Sequence, residues 1–201
     1  MNGWEINLKP IIFLLCFFSM ITGMNAQDQS ENLPFYELPE APENYTPGTV
    51  VSRLIDGLGF RYYWATEGLR EEDLNFRPGE EARSTRETLE HIHGLSRVIL
   101  NSALKKPNEP VKRDDQSFIE LRSETLMMLK QASDIFVKVQ DLNQHSIVFI
   151  RDGNRSEFPF WNQINGPISD ALWHCGQVVS YRRSSGNPFN SKVSVFTGKV
   201  R

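Results

Sequence analysis

Phe160-Trp161-Asn162-Gln163-Ile164-Asn165-Gly166-Pro167-Ile168-Ser169-Asp170-Ala171-Leu172-Trp173-His174-Cys175-Gly176-Gln177-Val178-Val179-Ser180-Tyr181-Arg182-Arg183 decides how the rest of the chain is read. Pro167 lacks an N–H that would go unpaired in a first helical turn anyway, and Asn165 or Gly166 can cap the turn before it. A helix is therefore predicted to begin here. Asp170 and His174 sit four positions apart, which stacks their side chains on one helical face. Ile168, Leu172, Cys175 and Val179 form an apolar stripe alongside. A carboxylate and an imidazole thus point toward, or along the edge of, the interior, where polar groups need partners and a metal ion satisfies both.

Upstream of this helix the periodicity is different. Ser146-Ile147-Val148-Phe149-Ile150 and Arg155-Ser156-Glu157-Phe158 flank Asp152-Gly153-Asn154, the pattern of a short β-hairpin. Before it, Phe118, Leu121, Leu126, Leu129, Ala132, Ile135 and Phe136 make a helical stripe in a segment predicted from Asp115 to Val139. Ser84 or Thr85 can cap a further helix, with Glu87 three residues after Ser84 as in a capping box, running to about Lys105 before Pro107. A first helix is expected from near Thr49 to about Leu69, carrying Val51, Leu54, Ile55, Leu58, Tyr62 and Ala65 on one side. Gly57 and Gly59 weaken it locally, which suggests that another helix or a bound group approaches its backbone there. Between the first two helices, Arg70 to Gly79 reads as a polar connector in which Glu71-Glu72-Asp73 is a solvated face. The expected fold is all-α: an antiparallel four-helix bundle over residues 49–188, with a short β-hairpin between helices three and four.

The helical wheel separates the histidines. Steps of three or four from Arg86 give Glu90, His93, Arg97 and Asn101, all polar, which assigns His93 to a solvated face. The same walk from Thr88 gives His91, Leu95 and Val98, so His91 is expected to point inward, about 200° from His93. His145 belongs to a polar connector and is not expected to be a ligand. His91, Asp170 and His174 remain as a constellation drawn from two helices. Two imidazoles and a carboxylate leave positions open to water or substrate, as a catalytic metal requires. Buried histidines satisfied by Asp170, Tyr181 or a backbone carbonyl would give the same sequence.

The chain has 201 residues, of which 39% are hydrophobic, enough for one domain with a real core. A net charge of −3 with both signs interspersed provides no basic field for a phosphate backbone, so nucleic acid is not an expected partner. Residues 1–26 read as a signal peptide: Lys9 precedes the apolar run Ile11 to Ile21, and cleavage is expected after Ala26, with Gly23 as another end and an uncleaved anchor as the alternative. Cys16 lies inside the apolar run, away from a processing boundary, which argues against lipid attachment. The mature protein is expected to be exported, periplasmic or extracellular, with no stable membrane span once the signal is removed. Residues 27–48 carry Pro34, Pro39, Pro42 and Pro47 among Glu31, Glu37, Glu40 and Glu43, with no basic residue, and read as a tether or surface arm. Residues 189–201 form a tail containing the β-leaning run Lys192 to Phe196. With the signal removed, Cys175 has no partner for an internal disulfide. It reads first as a buried small hydrophobe and second as a nucleophile or soft ligand, although it lies about 100° around the helix from His174.

Thr85-Arg86-Glu87-Thr88-Leu89-Glu90-His91-Ile92, then Asp170-Ala171-Leu172-Trp173-His174-Cys175-Gly176-Gln177-Val178 and Arg182-Arg183-Ser184-Ser185-Gly186-Asn187-Pro188, resemble the DinB/YfiT-like superfamily over roughly Thr49 to Pro188. The resemblance implies a four-helix bundle, often a homodimer, holding a divalent metal through one histidine of the second helix and two residues four apart in the fourth. The outer roles fall on His91 and His174. The middle role, usually histidine, falls here on Asp170, a harder ligand, which leaves the metal open among zinc, nickel, iron and manganese. Relatives in that superfamily include metal-dependent hydrolases and thiol transferases, and an exported chain favours hydrolysis of a small substrate. Gln177, Tyr181 and Asn165 are candidates to orient the ligands, and Trp161, Trp173 and Tyr62 to wall a pocket, against their ordinary uses as caps, packing and core. No residue stands out as a general base. The alternatives are a bundle that binds a metal or ligand without catalysis, or a dimeric module of the cell envelope.

Overall fold

Thr46 starts the first helix. Its hydroxyl accepts from the Thr49 N–H at 3.2 Å, the Thr49 hydroxyl accepts from the Thr46 N–H at 2.8 Å, and Pro47 takes the first helical position. In the computed structural model this helix, α1, spans Pro47–Thr66. A five-residue helix, α2 (Glu71–Asn75), follows within the expected connector. Helix α3 (Thr85–Ala103) begins at the capping box read from the sequence: Glu87 N–H donates to Ser84 Oγ at 3.2 Å and Ser84 N–H to Glu87 Oε2 at 2.7 Å. Ser117 and Glu120 repeat the device at the start of α4 (Phe118–Phe136). A hairpin of β1 (Ile147–Arg151) and β2 (Asn154–Phe158) turns on Asp152 and Gly153, both with positive φ, as a tight two-residue turn demands. Then come α5 (Trp161–Gln163), a widened π-type segment (Ile164–Ile168) and α6 (Ser169–Ser184). Two-residue strands β3 (Val193–Ser194) and β4 (Lys199–Val200) pair antiparallel in the tail.

The structure describes Met1 and residues 33–111 and 116–201, and residues 34–201 form one compact, mostly helical unit. Helix α1 packs on α4 and α6, and α3 packs on the same two helices. Ile55, Leu58 and Tyr62 of α1, Leu89, Ile92 and Ile99 of α3, Leu126 and Leu129 of α4 and Val178 of α6 are fully buried between them. Within the seam of α1 and α4, Ser133 donates to the buried Asp56 carboxylate at 2.5 Å and lies 2.8 Å from the Ser52 hydroxyl. Among the described residues no helix is long and apolar enough to cross a membrane. The expected signal segment, Cys16, the start of the acidic arm and Asp115 lie outside the described residues.

Several expectations are corrected. Of the two readings of the arm, tether or surface arm, the second holds, with Phe35, Tyr36 and Pro39 lying against α1, but one residue of it enters the core. Phe35 is buried, and its ring covers Gly59 so closely that a Cβ there would fall 2.5 Å from a ring carbon. The group that approaches α1 is therefore the chain's own arm, because glycine alone leaves room for an aromatic face against the helix backbone. The Trp64 indole N–H donates to the Tyr36 carbonyl at 3.0 Å, Arg53 to the Pro39 carbonyl at 2.7 Å, and Leu38 N–H to the Gly198 carbonyl at 2.9 Å. Asp73 is fully buried instead of solvated. The chain is also helical before Pro167, from Trp161. Proline cannot donate to the helix ladder, and the widened turn absorbs it: Gly166 leaves helical backbone angles (φ −90°, ψ −106°), and the Ser169 hydroxyl donates to the Ile164 carbonyl at 2.7 Å. Asn165 and Gly166 are consequently not caps.

Candidate metal centre

The widened turn delivers the chain into α6 with Asp170 in the first turn. His174 follows one turn later on the same face. Across from them, His91 stands in the second turn of α3. Its Nε2 lies 3.1 Å from Asp170 Oδ2, and His174 Nε2 lies 3.3 Å from Asp170 Oδ1. The two imidazole rings meet edge to face, with centroids 4.7 Å apart and planes at 87°.

One ligand atom from each of His91, Asp170 and His174 lies within 4.8 Å of the others, so the group could hold a metal ion. Its donor set fits one. The two Nε2 atoms face different oxygens of Asp170, at 3.1 and 3.3 Å, and a tetrahedral ion with ligands at about 2.0–2.2 Å sets its donors about 3.4 Å apart, so the three side chains would draw together on binding. Two borderline nitrogens and one hard oxygen suit a divalent first-row ion. The side chains of His91 and Asp170 are 33% and 36% exposed and that of His174 12%, which opens the cluster on the His91–Asp170 side. A cleft of about 360 Å³ adjoins His91, lined by Arg77, Glu81, Ala82, Arg83, Glu87 and Glu90.

The remaining candidates disperse. His93 is not on a solvated face: its side chain is 17% exposed, less than that of His91. The buried spine of α3 runs through Leu89, Ile92, Ser96 and Ile99, so His91 and His93 occupy opposite shoulders of it, one facing α6 and the other α4. The Thr125 hydroxyl donates to the Leu121 carbonyl at 2.7 Å and therefore accepts from His93 Nδ1 at 3.1 Å. The polar stripe that marked His93 as solvated is covered by protein, with Arg86 donating to the Gln116 carbonyl and Asn101 to Asn108 Oδ1. His145 is buried against Phe136, its Nδ1–H donating to the Ser102 carbonyl at 3.1 Å. Cys175 is buried, and burial pushes its thiol up to about 12, so it stays protonated as a small core residue. Tyr181 packs on Phe76, and Tyr62 is in the core. Trp161 and Trp173 are exposed, at 75% and 71%. Among the proposed orienting groups Gln177 alone touches the cluster, its Oε1 lying 2.7 Å from His174 Nδ1.

Glu87, Glu90, Arg77 and Arg83 beside His91 were not anticipated as neighbours of the site. Glu87 lies one helical turn before His91, a spacing that would have placed it on the same face had its capping role not absorbed it. Backbone and side-chain hydrogen bonds from Ser84 and Arg77 hold the Glu87 carboxyl below its usual range. Comparison with family models, with curated proteins and with solved structures returns no match.

Proposed function

We propose that the chain is an exported, DinB/YfiT-like four-helix bundle that binds one divalent metal ion, zinc in the first instance, through His91, Asp170 and His174, and uses it to hydrolyse a small substrate. The observation that carries the reading is the convergence of His91 with Asp170, 79 positions away, and with His174 into one partly exposed cluster that could hold such an ion. When bound, the ion polarises a carbonyl or phosphoryl oxygen and acidifies a water. Asp170, placed between the two imidazoles, offsets the ion's charge, while the exposed His91–Asp170 side gives a substrate its approach. Export rests on the apolar run after Lys9, and dimerisation, which light scattering reads, rests on the resemblance.

The test is elemental analysis of untagged protein purified without chelators. Near-stoichiometric metal in the wild type and its loss in His174→Ala are expected. A metal-free wild type, or metal retained by the variant, overturns the site. A panel of ester, amide and phosphoester substrates then tests turnover.

One observation favours a second reading, a metal-binding bundle without catalysis. Of the three acids lining the cleft beside His91, two are already engaged: Glu87 with Ser84 and Arg77, and Glu90 with Arg86 at 2.9 Å. Neither is placed as a free general base. A metal-loaded protein that turns over nothing in the panel selects this reading.

A further inference from the structure

Asp170, His174 and Gln177 occupy positions i, i+4 and i+7 of α6, a spacing that stacks three side chains along one face. The Gln177 side chain folds back on the ring, with Oε1 2.7 Å from His174 Nδ1. On the other side of the ring, His174 Nε2 faces Asp170 Oδ1 at 3.3 Å. His174 is also the least exposed of the three cluster residues, so water competes least for its ring nitrogens.

An amide oxygen accepts and cannot donate. A neutral imidazole that bonds to it through Nδ1 carries its proton there, and the lone pair is then on Nε2. We infer that Gln177 is a positioning residue which fixes the Nδ1–H form of His174 and holds its Nε2 lone pair toward Asp170 and His91. This deepens the metal-binding reading and rests on it for its purpose, although the proton's position is a property of the metal-free chain. An imidazole free to place its proton on Nε2 would donate that proton to Asp170, leaving a closed hydrogen-bonded pair with no lone pair on offer. Gln177 therefore separates a ligand from a plain structural contact. Carbonyl and carboxylate partners of ligating histidines act in this way, and losing one weakens metal affinity by about 10–100-fold.

Two readouts on the full-length protein test it. In the metal-free chain, held at alkaline pH where imidazole is neutral, nitrogen-15 NMR of the ring reports which nitrogen carries the proton. The Nδ1–H form is expected at His174 in the wild type and in Gln177→Glu, whose carboxylate also accepts. A mixture or the Nε2–H form is expected in Gln177→Leu, which removes the acceptor at similar volume. Competition with a zinc chelator should show affinity about 10–100-fold weaker in Gln177→Leu and restored in Gln177→Glu. An Nε2–H ring in the wild type, an unchanged ring in Gln177→Leu, or equal zinc affinity in wild type and Gln177→Leu overturns the inference. A wild type that binds no zinc overturns the metal-binding reading alone, since the NMR result still decides which proton Gln177 holds.

Discussion

Helix α6 carries a polar cluster at each end, and the two ends are built in opposite ways. At its C-terminal end the fully buried Asp73 carboxylate accepts from Arg70 Nη2 at 2.9 Å, Arg70 Nε at 3.0 Å, the Arg70 N–H at 2.8 Å, the Ser185 hydroxyl at 2.6 Å and the Asn187 amide at 2.7 Å. Beside it the buried Arg182 guanidinium donates to the carbonyls of Trp64, Ala65 and Asn187 and to the Asn187 side chain. Donors and acceptors there match, which ties α2, the end of α1 and the end of α6 together. At the N-terminal end Asp170 is one-third exposed and is flanked by two imidazole nitrogens. A carboxylate surrounded by donors is finished structure. One that shares a half-open space with two imidazoles retains capacity for a ligand.

Removing Asp73 should give the largest effect and act on stability alone. Asp73→Ala leaves the Arg70, Ser185 and Asn187 donors without their acceptor and should cost about 3 kcal/mol in chemical denaturation, with the metal content of the folded protein unchanged. Stability equal to wild type would erase the contrast between the two ends. The same network predicts acid sensitivity. The Arg70 side chain foremost, then Ser185 and Asn187, hold the Asp73 carboxyl far below its usual range, against burial, which pushes it up. The stability this supplies is complete above the unfolded carboxylate value of about 4 and is lost as pH falls through the folded one. Asp73→Asn should flatten that acid limb in a pH series of unfolding curves.

The opposite end should respond to metal and hardly to truncation. With zinc at about 100 times its dissociation constant, the wild type should gain about 2.7 kcal/mol, read as a rise in Tm, while Asp170→Ala should gain nothing and lose under about 1 kcal/mol in the metal-free state. A large loss of metal-free stability would place Asp170 in the same class as Asp73. No effect on metal is expected at His93→Ala, which removes the hydrogen bond to Thr125 and the contact with Glu124 and should cost about 1 kcal/mol with metal content unchanged by elemental analysis. Loss of metal there would show that both shoulders of α3 serve the cluster.

Much of the local structure was legible because it is governed by residues close in the chain. Ser84 and Glu87 mark the start of α3, Asp152-Gly153 marks the hairpin turn, and the spacing of Asp170 and His174 puts both on one helical face. These follow from backbone sterics and from the 3.6-residue period, which need only neighbours. The surroundings of polar groups were not legible, because they depend on what packs over each face. Asp73 reads as solvated until Ser185 and Asn187, 112 and 114 positions away, close over it. His93 stands in a stripe that any helical wheel calls polar, and Thr125 of α4 meets its ring. Phe35 belongs to a proline-rich arm whose composition suits solvent, and the space above Gly59 draws its ring inward.

By itself, the sequence determined a mostly helical chain, the starting points of α3 and the hairpin, and three side chains that could hold a metal ion. Tertiary structure alone decided that His91 reaches across to Asp170, that Gln177 hydrogen-bonds His174 while Tyr181 packs on Phe76, and that Asp73 of the acidic connector closes into a buried lock. The reason is physical: helical period and capping act over four residues or so, whereas burial and the partners of a charge are set by segments that meet only when the chain folds.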